Sequence, residues 1–150
     1  MKLAYKIGLL VGAAVLLVLL PSRGRGEQLQ KFDDYIVHYN ALSADMLPAE
    51  VAAAYKIARS SKQGLLNIAV QKTGGAEPVP VAARISGNVA NLAGQRSDMT
   101  VREIREADAI YYLAEFPVRG SDTLNFDLRI TPADSPRSYT LKFSKNYVTE

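Results

Sequence analysis

The sequence predicts a mainly β fold: an antiparallel β-sandwich of about seven strands, immunoglobulin-like in its spacing, with one short α-helix between the first and second strands. Three observations carry the prediction. Apolar and polar residues alternate along most of the chain, as in Leu124-Asn125-Phe126-Asp127-Leu128-Arg129-Ile130, and a period of two marks a strand with one buried and one wet face. Turn-forming segments such as Thr73-Gly74-Gly75-Ala76 and Arg119-Gly120-Ser121-Asp122 separate these runs. A helical repeat of apolar residues occurs in one segment.

Taken in order, the first 26 residues stand apart. Lys2 and Lys6 precede the apolar run Ile7–Leu20, Pro21 breaks it, and Ser22-Arg23-Gly24-Arg25-Gly26 follows. A basic start, a short apolar stretch and small residues beyond it describe a secretory signal peptide, with cleavage expected after Gly26 or Gly24. The run spans 14 residues, against the ~20 that a spanning helix needs. Extending it backwards would bury Lys6, at about 2.5–3.5 kcal/mol near a helix centre. The competing reading is an uncleaved anchor, which Arg23 and Arg25 on the far side oppose. Both readings place residues 27–150 outside the cytoplasm as one domain.

The first strand is expected at Phe32–Asn40, with Tyr35, Val37 and Tyr39 facing inward and His38 opposite them. The helix is expected over Pro48–Arg59. Pro48 suits its first position and Glu50 its positive end. Val51, Ala54, Tyr55 and Ala58 form one apolar stripe, expected to close over the same core as Tyr35, Val37 and Tyr39. Strands follow at Leu65–Lys72 and along Val79, Val81, Ala83, Ile85 and Val89. Met99–Glu106 and Ala109–Phe116 form a hairpin across Ala107-Asp108. Val101 and Ile104 lie three apart in it, which predicts a bulge or an irregular edge. The last strands are Leu124–Ile130 and Tyr139–Tyr147. Pro132 to Pro136 lies between them as a loop, because proline lacks the ladder donor.

Composition narrows the chemistry. The chain has 18 basic and 15 acidic residues, a net charge of +3. Lys2, Lys6, Arg23 and Arg25 all belong to the leader, so residues 27–150 carry 14 and 15, a net charge of −1. Basicity thus gives no argument for a nucleic-acid partner. Cysteine is absent, which removes disulfides, thiolate metal sites and thiol catalysis.

Several strings are informative together: DYIVHYNAL (Asp34–Leu42), LPAEVAAAYKIARS (Leu47–Ser60), GLLNIAV (Gly64–Val70), NLAGQ (Asn91–Gln95) and REIREADAIYYLAEF (Arg102–Phe116). In this order they resemble the bacterial family catalogued as domain of unknown function 4426. The resemblance implies a small secreted protein in a Gram-negative periplasm. It implies no activity and supplies no catalytic motif. The polar positions that look shared are His38, Tyr39, Asn40, Tyr55, Arg59, Asn67, Asn91, Gln95, Glu103, Glu106, Tyr111 and Tyr112.

No catalytic constellation emerges, and the expectation is a non-enzyme. His38 is the only histidine and has neither a nucleophile motif nor a carboxylate in reach along its strand. One histidine and no cysteine argue against a metal site, and no cofactor is expected. Arg102, Glu103, Arg105, Glu106 and Asp108 form a mixed-charge cluster, either a carboxylate pair for proton transfer or, more commonly, a solvated strand face with Glu103–Arg105 and Arg102–Glu106 ion pairs. Tyr111 and Tyr112 must point to opposite faces, placing one outward as a possible contact aromatic. The expected role is an exported interaction or binding module whose partner is an envelope protein or other periplasmic component. Contact with a membrane is expected only through an uncleaved leader. The alternative is a small-ligand carrier or weak hydrolase with its site near His38 and the helix, where His38, Asn40 and Arg59 would converge. The candidate binding residues are therefore His38, Asn40, Arg59, Glu103, Glu106 and Tyr111.

Overall fold

A computed structural model describes residues 28–148, so the leader lies outside the described residues. Within them the chain forms strands β1 (Gln28–Phe32), β2 (Tyr35–Ser43), β3 (Gln63–Lys72), β4 (Val79–Pro80), β5 (Ala83–Ala90), β6 (Arg96–Asp98), β7 (Val101–Glu106), β8 (Ala109–Pro117), β9 (Asp122–Pro132) and β10 (Tyr139–Tyr147). A 3-10 turn (Ala44–Met46) and helix α1 (Ala49–Ala54) lie between β2 and β3. The first sheet runs β1-β2-β3-β8-β7 with β4 on β3, and the second runs β10-β9-β5-β6. All pairs are antiparallel. The expected antiparallel sandwich is the observed architecture. The expected strands are present except that the single run expected from Val79 to Val89 is divided: Val79–Pro80 pairs with β3 in the first sheet and Ala83–Ala90 with β9 in the second, and β1 and β6 are additional. Phe32 belongs to β1 and pairs with Tyr35. The turn between them carries Asp33 at φ 48°, a left-handed position that Asp tolerates through local hydrogen bonding.

Alternation builds the core between the sheets. Tyr35, Val37, Tyr39 and Ala41 of β2, with Leu66, Ile68 and Val70 of β3, meet Leu124, Phe126, Leu128 and Ile130 of β9. Aromatic rings cross the gap: Phe126 stacks on Phe143 at 4.5 Å, Tyr39 meets Phe143 at 4.5 Å, and Phe116 stands edge-on to Phe126 at 5.0 Å. One end of the sandwich is latched by polar contacts. Asp134, in the β9–β10 loop, accepts from the Tyr35 hydroxyl (2.7 Å) and the Lys72 ammonium (2.6 Å). Lys72 chiefly, and then Tyr35, hold the Asp134 carboxyl below the usual carboxylate range.

The helix departs from expectation in length and place. It ends at Ala54, and Lys56 turns left-handed at φ 55°. The Lys56 N–H then donates to the Ala53 carbonyl and the Ile57 N–H to the Ala52 carbonyl. This is a Schellman ending, with Lys56 where glycine is usual. The reversal swings Ile57 inward and leaves Ala54 and Ala58 exposed. Nor does α1 cover the core between the sheets, as its stripe had suggested. It packs on the opposite, outer face of the first sheet, where Ala44, Leu47, Val51, Ala52 and Ile57 bury Leu65 and Leu113. The 3-10 turn directs the chain there, since Ala44 and Leu47 are nearly inaccessible.

The bulge or irregular edge expected at Val101–Ile104 is not formed, because β7 pairs with β8 in an unbroken register from Val101 to Glu106; the three-residue spacing has the same origin as the placing of α1. Val101 packs against the core between the sheets, and Ile104 packs against the cluster beneath α1. Both faces of β7 are therefore apolar in part. The break in pattern before it is a crossing between sheets: β6 pairs with β5, the Met99 N–H donates to the Gly87 carbonyl, and β7 starts in the other sheet.

Candidate functional site

The outer face of the first sheet gathers most of the candidate residues. Opposed residues of an antiparallel pair share a face, so the register places the side chains in rows. One row contains Asn40, Asn67, Leu113 and Arg102; the next contains Leu29, His38 and Ala69; a third contains Ile36 and Gln71. Tyr111, two residues before Leu113 and opposite Ile104, lies on this face too. Helix α1 covers one half of the face, over Leu65 and Leu113. On the other half Ile36, His38, Ala69 and Gln71 are half-buried and Leu29 is exposed. The His38 Nε2–H donates to Gln71 Oε1 at 2.9 Å.

Asn67 sits at the border of the two halves. It is 5% exposed, and its Oδ1 has no hydrogen-bond partner among the described residues. An unmatched buried acceptor costs about 1–3 kcal/mol, and this oxygen is itself closed to the surface. Sequence reasoning placed Asn67 among the shared-looking polar positions but not among the binding candidates. On its strand it reads as an ordinary polar interruption of an apolar run, and only burial on both faces of β3 distinguishes it.

At the far corner, β7 grips Tyr55 at both ends. The Tyr55 hydroxyl donates to Glu106 Oε1, and Arg102 donates to the Tyr55 carbonyl at 2.6 Å. The expected Arg102–Glu106 pair is thus replaced by two contacts to the segment after α1. Glu106 Oε2 is buried without a partner among the described residues, and desolvation raises the Glu106 carboxyl above its ordinary range. The folded state therefore holds this proton more tightly than the unfolded chain. Stability from this group is lost as pH rises from the unfolded value, near 4.3 for Glu, through the raised folded one. Glu106→Gln keeps a carbonyl for Tyr55 and removes the charge. Chemical denaturation should show the variant more stable than the wild type at pH 7, with the gap shrinking toward pH 3.5. A variant less stable at pH 7 would show that the charge is needed.

The remaining candidates do not join this face. Glu103 lies on the other side of β7, where it accepts from the Arg105 guanidinium and, at 3.0 Å, from the Tyr112 hydroxyl. The Arg105 hydrogen bond, and then that of Tyr112, lower the Glu103 carboxyl. Tyr112 is in the core and also accepts from the Ala83 N–H at 2.7 Å, so this cluster ties β7 and β8 to β5 at one open side. The Glu103–Arg105 pair forms as expected. Arg59 is exposed and donates to the Asp45 carbonyl at 3.1 Å, so the convergence of His38, Asn40 and Arg59 does not occur. Tyr111 and Tyr112 do point to opposite faces, but the outward Tyr111 is only 8% exposed, because this face is itself half covered. A cavity of about 150 Å³ lies beside Asn40, lined by Gln28, Tyr39, Asn40, Ala41, Phe143, Ser144 and Lys145. It opens between the β2 and β10 sides of the sandwich. A smaller one of about 30 Å³, lined partly by Asn91, Gln95 and Arg119, lies at the end where β5 leaves the sheet. His38 lines neither.

Comparison with known proteins supports the architecture. A crystal structure of a DUF4426 family protein from Pseudomonas aeruginosa PAO1 is 34% identical, with a TM-score of 0.71 over 83% of this chain and 97% of that one. FetP of uropathogenic Escherichia coli strain F11, recombinantly expressed in the periplasm, is 14% identical, with a TM-score of 0.57 over 82% of this chain and 94% of that one. A copper-bound variant of FetP, 12% identical, gives a TM-score of 0.58 over 82% and 95%. These two share the fold. No curated protein sequence matches the chain. Residues 29–150 match the family described as domain of unknown function DUF4426, and the chain belongs to that family.

Proposed function

We propose that the protein is an exported, non-enzymatic binding module of the bacterial envelope, and that it engages its partner with the outer face of the first sheet beside α1. The leader pattern of residues 1–26 supports export, and the likeness to FetP, which was produced in the periplasm, agrees with it. The observation that carries the binding role is the half of this face that α1 leaves uncovered, where Leu29 is 57% exposed beside the half-buried His38, Asn40 and Gln71. Copper is stated for the FetP variant alone. Among the described residues no three His, Cys, Asp or Glu side chains come together to hold an ion, so the reading does not extend to metal.

The test compares three variants in quantitative cross-linking within the native envelope. Asn67→Leu and His38→Ala alter the proposed face. Arg84→Ala alters β5, in the other sheet, where Arg84 is exposed. One saturable cross-linked partner should be lost in the first two variants and kept in the third. Replacing an unsatisfied buried amide by an apolar side chain is neutral or stabilising, so Asn67→Leu should remain folded. A partner retained by both face variants would overturn the assignment.

A further inference from the structure

We propose that the cavity between the edges of β2 and β10 binds a carboxylate group on a short apolar stem, with the Lys145 ammonium and the Tyr39 hydroxyl as its donors. The site lies on the open side of the sandwich and does not depend on the outer face being a binding surface. β1 starts opposite Tyr39, so among the described residues Asn40, Ala41, Leu42 and Ser43 of β2 have no strand beyond them on that side. β10 is the edge of the second sheet. Between these two edges lies the cavity of about 150 Å³, a volume that accepts a molecule the size of benzene.

Two polar groups in its lining lack a partner. Tyr39 is 8% exposed. Its ring packs on Phe143, and its hydroxyl makes no hydrogen bond among the described residues yet is not sealed in the core. Burial pushes this hydroxyl above its ordinary range, so it stays protonated and offers a donor. Lys145 lies opposite Leu124 and two residues after Phe143, which places it in the inward phase of an edge strand. An inward lysine guards such an edge against pairing, but this one also lines a cavity and has no ion pair among the described residues.

The charge around the cavity has one sign. β1, β2 and β10 carry Lys31, Lys142 and Lys145 and no acidic residue. Lys142 stands in the other phase of β10 and pairs with Asp127, which leaves Lys145 for a ligand. A cationic ligand would find no carboxylate in the lining, and a wholly apolar one would leave both donors unused. The rings of Tyr39 and Phe143, with Ala41, form an apolar wall that a bare phosphate would not cover and a short hydrocarbon stem would. A carboxylate on such a stem occurs in a free short-chain acid and at the end of a peptide chain.

The test is an NMR titration of the full chain as purified from the envelope, at constant ionic strength. The probes are butyrate, N-acetyl-dialanine and butyramide, the neutral isostere of butyrate. An acid should shift the Tyr39 and Phe143 ring signals, and butyramide should bind at least about ten-fold more weakly. Preference for butyrate identifies a free acid as the ligand, and preference for N-acetyl-dialanine a peptide chain end. Tyr39→Phe and Lys145→Gln should each weaken the acid about ten- to a hundred-fold, the loss of a hydrogen bond to a charged group. Both variants should keep the fold, since one removes a hydroxyl without a partner and the other alters an exposed side chain. Lys142→Gln should leave binding unchanged. Glu27 precedes Gln28 in the sequence, and Glu27→Gln should leave it unchanged too. An acid that binds only in that variant would overturn the proposal, because the chain's own carboxylate would then be the occupant. No shift with either acid, equal binding of butyramide, or binding that survives both Tyr39→Phe and Lys145→Gln would also overturn it.

Discussion

Replacing Phe126 with Ala is expected to lower the unfolding free energy by about 3–5 kcal/mol. Phe126 is 2% exposed and sits where three rings meet, stacked on Phe143 with 6° between the planes and met edge-on by Phe116. Truncation removes the transfer free energy of the ring and leaves a cavity walled by two other rings. These cannot both move in, because Phe143 also holds Tyr39 and Phe116 also meets Tyr147. A domain of this size has about 5–15 kcal/mol in total, so the variant should stand near the limit of folding. Urea titration measures the change. A loss below about 1 kcal/mol would mean that the core collapses onto the gap and that the ring cluster is not tightly packed.

The second large effect is expected at Gly64, by addition instead of removal. Gly64 pairs with Phe116 across β3 and β8, and the Phe116 ring lies over it. A Cβ at Gly64 would stand 2.0 Å from one ring carbon and 2.3 Å from the next. The ring cannot yield freely, since Phe126 and Tyr147 flank it at 5.0 and 6.0 Å. Gly64→Ala should therefore cost about 3 kcal/mol, the upper part of the range for overpacked cores. A double-mutant cycle with Phe116→Leu isolates the clash. The two changes together should cost at least about 1 kcal/mol less than the sum of the single effects, as coupled neighbours do. Strict additivity would show that the loss comes from elsewhere.

The strands of this fold were legible because their signal is local. Leu124, Phe126, Leu128 and Ile130 announce a strand by spacing alone, and all four are buried. The hairpin across Ala107-Asp108 was legible from its length, and Glu106 pairs with Ala109. β1 was not. Gln28 to Lys31 are exposed, so no apolar alternation marks them, and their strand exists through backbone pairing with β2. The end of α1 was missed because its left-handed residue is Lys56 and not glycine, leaving no terminating signal in the letters.

Of the candidate site residues, His38, Asn40, Tyr111 and Glu106 share one face, whereas Glu103 and Arg59 do not. Glu103 and Glu106 are three apart on a strand, so the period of two separates them; their joint candidacy came from charge clustering, which ignores faces. Arg59 was placed by a helix that stops five residues before it. By itself the sequence determined the alternation, the turns, the exported character expected of the chain and the side of β2 on which His38 lies, because each depends on residues adjacent along the chain. Only the tertiary structure decided which face α1 would cover. An amphipathic stripe says that a helix needs an apolar partner but not which one, and a sheet with apolar residues on both faces offers two. That choice put α1 over Leu65 and Leu113 and buried Asn67 at its border.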